Sequence, residues 1–146
     1  MDRFTDYIPI PREAQFALLF LIIFGSLHFA YSASRDTRFE DLAIDIVTVT
    51  PSVWLVNQFT PKEQVRAEGP KLVSPYGSLT VLNGCEGFES MFLLMAAVLA
   101  FAASWRQKLI GLAGGMLLIY LLNQARIVIL YYCFRHDREL FNLIHS

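Results

Sequence analysis

The chain has 146 residues, of which 55% are hydrophobic and 17% are charged, and its formal net charge at pH 7 is −1. A soluble domain of this length carries more charge and fewer long apolar runs, so the composition argues against a soluble protein and predicts one embedded in a membrane. The near-neutral charge includes no basic patch, which argues against a nucleic-acid partner.

The first predicted element is a membrane span over residues 15–31, which is close to the shortest helix that crosses a bilayer. A cleaved signal peptide is the alternative, with Ser32 and Ser34 as small residues near a possible cleavage site. The segment before the apolar run is long and carries acidic residues, unlike the basic start of a signal peptide. The sequence therefore favours a retained anchor.

Residues 32–84 form the longest polar stretch of the chain. Apolar residues recur at helical spacing in its first part, namely Phe39, Leu42, Ala43, Ile46, Val53 and Trp54. This pattern favours an amphipathic helix lying on the membrane surface, and Pro51 is predicted to break or kink it. Further along, the turn residues within 73–78 predict a hairpin-like pair of short extended segments.

Two more spans are predicted, over residues 87–105 and 109–134. Each of these apolar runs carries a single charge, Glu89 in the first and Arg126 in the second. A charged side chain inside a membrane is costly, and pairing of Arg126 with Glu89 would lower that cost. Such a pair would be compatible with either a purely structural or a catalytic role of Arg126.

The turn between these spans is predicted at residues 105–108, where Arg106 and Lys108 lie in a short loop. Cationic residues in a short loop mark the cytoplasmic side of a membrane, so residues 32–84 and 135–146 are expected outside. Tyr131 and Tyr132 fall at the other end of the last span and are interpreted as interfacial aromatics.

Counting residues along the two predicted spans places the thiol of Cys85 and the guanidinium of Arg126 at similar depths in the membrane. At about 1.5 Å per residue, Cys85 lies ~31 Å and Arg126 ~27 Å from the cationic turn. The hydrocarbon core is about 30 Å thick, so both residues are expected near the outer interface. Glu89 is expected to orient Arg126, with help from Asn123 one turn below on the same face.

These residue types suit acyl transfer. Cys85 is expected at a helix start, and helix N-termini, cations and histidines all favour the thiolate form of a cysteine. A histidine of the outer tail, His136 or His145, can accept or return a proton. Arg126 can stabilise the oxyanion of a tetrahedral intermediate. Together they would cleave a peptide bond through a thioester.

Three separated motifs carry a resemblance to a known family. They are Asn83-Gly84-Cys85-Glu86-Gly87-Phe88-Glu89, Leu122-Asn123-Gln124-Ala125-Arg126-Ile127, and Leu140-Phe141 with His145. The chain resembles the exosortase/archaeosortase family over roughly residues 72–146, most closely the small exosortase H type. It departs from the family at Glu86, where a neutral residue is commoner. It also stops at Ser146, whereas similar proteins continue into another spanning helix.

The resemblance implies a membrane cysteine transpeptidase. It makes Cys85 the nucleophile, Arg126 the residue that stabilises the intermediate, and His145 rather than His136 the acid/base. Substrates of such enzymes are secreted proteins that end in a short motif, a transmembrane helix and a basic cluster. The implied location is the bacterial inner membrane, with the active site on the periplasmic side and with no cofactor or metal.

The expected fold is therefore an all-α integral membrane protein, forming a single membrane-embedded domain over residues 1–146. Two other functions stay open. A scaffold subunit would use the outer helix and the glycines of the last span, Gly111, Gly114 and Gly115, to hold a partner. A thiol redox protein would use Cys85 and Cys133, although they do not form a Cys-x-x-Cys pair. The substrate motif, the acceptor and the oligomeric state are left undetermined.

Overall fold

The computed structural model describes residues 11–35, 37, 40, 42, 44–81 and 86–136. The principal helices and strands follow one another in a simple order along the chain. They are α1 (Arg12–Ala33), a π-helix (Asp45–Val49), α2 (Thr50–Phe59), a 3-10 helix (Pro61–Glu63), β1 (Arg66–Glu68), β2 (Lys71–Ser74), β3 (Gly77–Thr80), α3 (Phe88–Ala100) and α4 (Trp105–His136).

Helices α1, α3 and α4 form an apolar bundle. Phe16 near the start of α1 contacts Phe101 at the end of α3, whereas Tyr31 near the end of α1 contacts Phe88 at the start of α3, so these helices are antiparallel. Helix α1 is apolar and buries none of its residues, as expected of a helix that faces lipid. Of the described helices, α1 and α4 are long and apolar enough to cross a membrane. The prediction of an all-α membrane protein is confirmed.

The turn between α3 and α4 lies at residues 101–104, so the turn predicted at 105–108 was wrong. The cause is a capping box: Ser104 Oγ accepts a hydrogen bond from the Gln107 N–H at 3.5 Å, and the Ser104 N–H donates to Gln107 Oε1 at 3.1 Å. Helix α4 therefore begins at Trp105. Helix α3 has 13 residues and falls short of the span predicted over 87–105. It is ~20 Å long, against a hydrocarbon core of about 30 Å.

A glycine lets α3 and α4 approach closely. A Cβ atom built on Gly115 would lie 2.6 Å from Leu94 Cδ2, which is closer than real side chains come. A Cβ on Gly114 would meet nothing within 4 Å, and one on Gly111 would make only ordinary contacts with Val98. Close packing at Gly115 is thus made within the chain, and this position is not available to a partner helix.

Residues 44–81 form a cap over the C-terminal half of α4. Its strands make an antiparallel sheet in the order β1-β2-β3, with Leu72 opposite both Ala67 and Leu79. The β2–β3 pair confirms the hairpin predicted around residues 73–78. The Asn57 side chain holds the loop between α2 and β1 because it bonds both the N–H and the C=O of Val65 at 2.9 Å.

The core of the protein lies between the cap and the second half of α4. Its members are apolar and buried: Ile44, Val49, Val56, Val65, Leu72, Leu79, Val81, Ile127, Leu130 and Tyr131. Helix α4 has 32 residues, so it is ~48 Å long and extends well beyond a hydrocarbon core of about 30 Å. Tyr131 is 1% exposed and donates a hydrogen bond to Glu63 at 3.0 Å, so its predicted interfacial role was wrong.

The helix of the cap buries one face and exposes another. Val49, Ser52 and Val56 are buried, whereas Ile46 and Trp54 on the opposite face are 59% and 61% exposed. Ile46 and Trp54 thus leave an apolar face exposed at the protein surface, as the predicted amphipathic helix requires. Pro51 does not break the helix: it lies in the first turn of α2, where a missing N–H is tolerated, and the π-helix precedes it directly.

Candidate functional site

The predicted site falls partly within the described residues. Arg126, Asn123 and Glu89 are among them, whereas Cys85 and His145 lie outside them. The described part of the site consists of Glu86, the residue that follows Cys85, and the helices around it.

Glu86 is buried between α1 and α4. Its side chain is 2% exposed, and its Oε1 atom accepts a hydrogen bond from the hydroxyl of Tyr31 on α1 at 2.5 Å. Its backbone carbonyl accepts a hydrogen bond from Asn123 Nδ2 on α4 at 2.9 Å. Its Oε2 atom is buried without a hydrogen-bond partner in the described part of the chain. The residue that follows Cys85 is thus tied to two helices.

Gly87 turns the chain into α3 at the point where it touches α4. Its φ angle of +85° is strained for any other residue, and a Cβ atom here would lie 3.0 Å from Asn123 Cγ. Both the backbone conformation and the space require glycine, so the Gly in the Cys-Glu-Gly sequence has a local structural reason. It allows the start of α3 to lie directly against Asn123.

A cavity of about 250 Å³ opens beside this contact. Gly87 and Ser90 line it from the α3 side, and α4 contributes Ile119, Leu122, Asn123 and Arg126. Within the described residues, the guanidinium of Arg126 makes neither an ion pair nor a hydrogen bond. No described residue therefore competes for its donors with a group that enters the cavity.

Glu89 has a different partner from the one predicted. Its Oε1 atom lies 3.5 Å from the guanidinium of Arg35, just beyond the end of α1, in a pair that is partly exposed. The predicted contact between Glu89 and Arg126 was therefore wrong. Asn123 uses its amide to hold Glu86 and has no contact with Arg126 among the hydrogen bonds of the described residues. Both residues connect the start of α3 to its neighbours.

Two histidines lie within the described residues. His136 is exposed at the end of α4, where its Nδ1 atom is 3.2 Å from the Tyr132 carbonyl oxygen. His28 stacks on Phe24 in α1, and its Nδ1 atom is buried with no partner in the described regions. No group of three or more His, Cys, Asp or Glu side chains among the described residues is placed to hold a metal ion.

Cys133 is a free thiol and is 8% exposed. A buried thiol that is not part of a disulfide gives no support to the redox function that was left open.

The sequence did not indicate that Tyr31 and Glu86 belong to the site. Tyr31 lies at the end of the first apolar run, where it has the pattern of an interfacial aromatic. The sequence marked Glu86 in one respect only, because an acidic residue at this position departs from the family motif. Its contact with Tyr31 joins residues 55 positions apart, and no local pattern reveals such a pairing.

The comparison with known proteins agrees with the three motifs. No curated protein and no solved structure matches the chain. The model of the transmembrane exosortases matches residues 8–145, which extends the similarity from the three motifs in residues 72–146 back into α1. Because this match covers nearly the whole sequence, the chain belongs to the transmembrane exosortase family.

Proposed function

We propose that this chain is a membrane cysteine transpeptidase that cleaves the C-terminal sorting signals of secreted proteins. Cys85 is the nucleophile, Arg126 stabilises the intermediate, and His145 is the acid/base. The proposal rests on one observation above all: Gly87, two residues after Cys85, lines the same cavity as Arg126, whose guanidinium has no partner among the described residues. Family membership supports the class of reaction.

The proposed reaction has two steps. The thiolate of Cys85 attacks the carbonyl carbon of the scissile peptide bond, and Arg126 donates hydrogen bonds to the oxyanion that forms. When the C–N bond breaks, the histidine gives a proton to the leaving amine and a thioester remains on Cys85. Water or an amine acceptor then attacks the thioester, and the thiol leaves. Water yields a released protein, whereas an amine yields a new amide bond.

The proposed orientation has the cavity on the outer side of a bacterial inner membrane. Arg106 and Lys108 lie in the first turn of α4, at the opposite end of the bundle from Glu86 and Arg126. Positive charge near a short connection favours the cytoplasmic side. With one end of the bundle inside, the cap and the Arg126 cavity would face the periplasm, where secreted substrates arrive.

The proposed substrate is a secreted protein that is itself anchored by a C-terminal transmembrane helix. Such an anchor would carry the cleavage motif to the outer interface, and a basic cluster after the helix would remain in the cytoplasm. The exposed apolar surfaces of α1 and α4 suit a protein that meets its substrate within the bilayer.

The test is processing of a candidate substrate by Cys85→Ala and Cys133→Ala variants, expressed with the substrate and compared by the size of the product. We expect Cys85→Ala to leave the substrate uncleaved and Cys133→Ala to cleave it as the wild type does. Thioester formation predicts that hydroxylamine added to the wild type releases a hydroxamate of the substrate. Normal cleavage by Cys85→Ala would contradict the catalytic role and would favour the scaffold function.

A further inference from the structure

Glu86 is an unusual residue to bury. Its side chain is 2% exposed, one oxygen is bonded to Tyr31, and the other is buried without a partner among the described residues. Burying a carboxylate with an unpartnered oxygen is destabilising, and an amide or an apolar side chain of similar size would usually pack as well. Stability therefore does not explain why a carboxylate occupies this position.

The two bonds of Glu86 act on different helices. The side chain is held by Tyr31 on α1, while the backbone carbonyl is held by Asn123, which is 8% exposed on α4. Asn123 lies one helical turn before Arg126. The set of Tyr31, Glu86 and Asn123, which we name the Glu86 clamp, fixes the residue after Cys85 relative to the helix that carries Arg126.

We infer that the Glu86 clamp is a positioning device for the reaction and that Glu86 is a positioning residue of Cys85. This inference rests on the proposed function. Glu86 acts through its covalent neighbour and touches no reacting atom. Nucleophilic attack depends on distance and angle, so that a displacement of about 1 Å can lower a rate ~10²-fold. A side chain anchored on α1 and a carbonyl anchored on α4 limit such displacements.

A substitution at Tyr31 can separate the effect of its hydrogen bond to Glu86 from the effect of its ring packing. Its ring contacts Phe88 and Phe92 with centroids 5.6 Å apart in each case, so the ring packs α1 against α3 without help from the hydroxyl. Tyr31→Phe removes the hydroxyl and keeps these contacts. Tyr120→Phe is the matched control, because Tyr120 lies on α4 and makes no hydrogen bond in the described structure.

The experiment measures kcat and KM for substrate processing in Tyr31→Phe, Glu86→Leu, Glu86→Gln, Tyr120→Phe and the double variant Tyr31→Phe/Glu86→Leu. Loss of the clamp should lower kcat by ~10²-fold with KM nearly unchanged, because orientation is lost and binding is not. Glu86→Gln should retain most of the activity, since its amide oxygen still accepts the bond from Tyr31. Tyr31→Phe also removes the 3.5 Å contact of the hydroxyl with Glu40 Oε1. The Tyr31–Glu86 bond is lost in both single variants, so the double variant should be no slower than the slower of the two.

The alkylation rate of Cys85 by a membrane-impermeant maleimide, measured in the Cys133→Ala background, provides a readout without substrate. It should change in Tyr31→Phe and Glu86→Leu and stay constant in Tyr120→Phe. Equal kcat for Tyr31→Phe and Tyr120→Phe, or losses that multiply in the double variant, would overturn the positioning role while Cys85→Ala remained inactive. Normal processing by Cys85→Ala would overturn the proposed function, and the alkylation rates would then decide on the clamp alone.

Discussion

Ser52 and Gln124 are joined by a buried hydrogen bond across 72 residues of sequence, in which Ser52 Oγ lies 2.7 Å from Gln124 Oε1. Gln124 Nε2 also donates to the Val47 carbonyl at 3.3 Å. The glutamine thus fixes both the π-helix and α2 of the cap to α4, one residue after Asn123. The cap and the Glu86 clamp are therefore attached to neighbouring positions of the same helix.

Replacing Gln124 by Leu should loosen the cap. The change removes the donor that bonds the Val47 carbonyl, and an unsatisfied group of this kind costs about 1–3 kcal/mol. The Ser52 hydroxyl loses Gln124 but keeps its bond to the Thr48 carbonyl at 2.8 Å. We expect a lower melting temperature in detergent and faster amide exchange in residues 44–81. Gln58→Ala is the matched control, because Gln58 is exposed on α2. Equal melting temperatures for the two variants would show that the bond does not hold the cap.

The parts of the fold that were predictable depend on local patterns. The apolar runs of α1 and α4 and the turn residues of the β2–β3 hairpin are of this kind, and they appear where the sequence indicates them. The turn before α4 was misplaced because Arg106 and Lys108 look like loop residues. The Ser-x-x-Gln capping pattern that starts the helix at Trp105 is also local, and it would have corrected the prediction.

The parts that could not be predicted depend on contacts between distant residues. The sequence of the second half of α4 has the hydrophobicity of a membrane span. In the structure, however, Ile127, Leu130 and Tyr131 pack against the cap. Hydrophobicity does not distinguish lipid from a protein core, so the end of the span cannot be read from the sequence. Counting residues along the helices cannot tell which cationic side chain pairs with Glu89. Only the position of α1 in the fold brings Arg35 to it.

The two adjacent glycines of α4 should respond differently to a larger side chain. Gly115→Leu would place atoms where Leu94 already lies, and overpacking of this kind typically costs about 1–3 kcal/mol. Gly114→Leu is the matched control, because a Cβ atom at Gly114 meets nothing within 4 Å. We expect thermal unfolding in detergent at a lower temperature for Gly115→Leu only. If both variants melt alike, α3 does not pack closely on α4 at this position.

Helix α1 should be retained in the mature protein. The end of α1 is joined to the start of α3 through the Arg35–Glu89 pair and to Glu86 through the Tyr31 hydroxyl. Cleavage near Ser32 or Ser34 would detach Tyr31 from Glu86. An N-terminal epitope tag should therefore stay on the membrane-inserted protein, at the full-length mass. Loss of the tag during export, with activity intact, would support the signal-peptide reading.

Arg126 should matter for the reaction and not for the fold. Its guanidinium makes neither an ion pair nor a hydrogen bond within the described residues, so Arg126→Ala should leave the melting temperature close to that of the wild type. Loss of a donor to the oxyanion typically lowers kcat by about 10²–10³-fold, and we expect a loss of that size. Arg106→Ala removes an exposed arginine from the other end of the same helix and should process substrate normally. A similar kcat for both variants would mean that Arg126 does not stabilise the intermediate. A large drop in the melting temperature of Arg126→Ala alone would assign it a structural role.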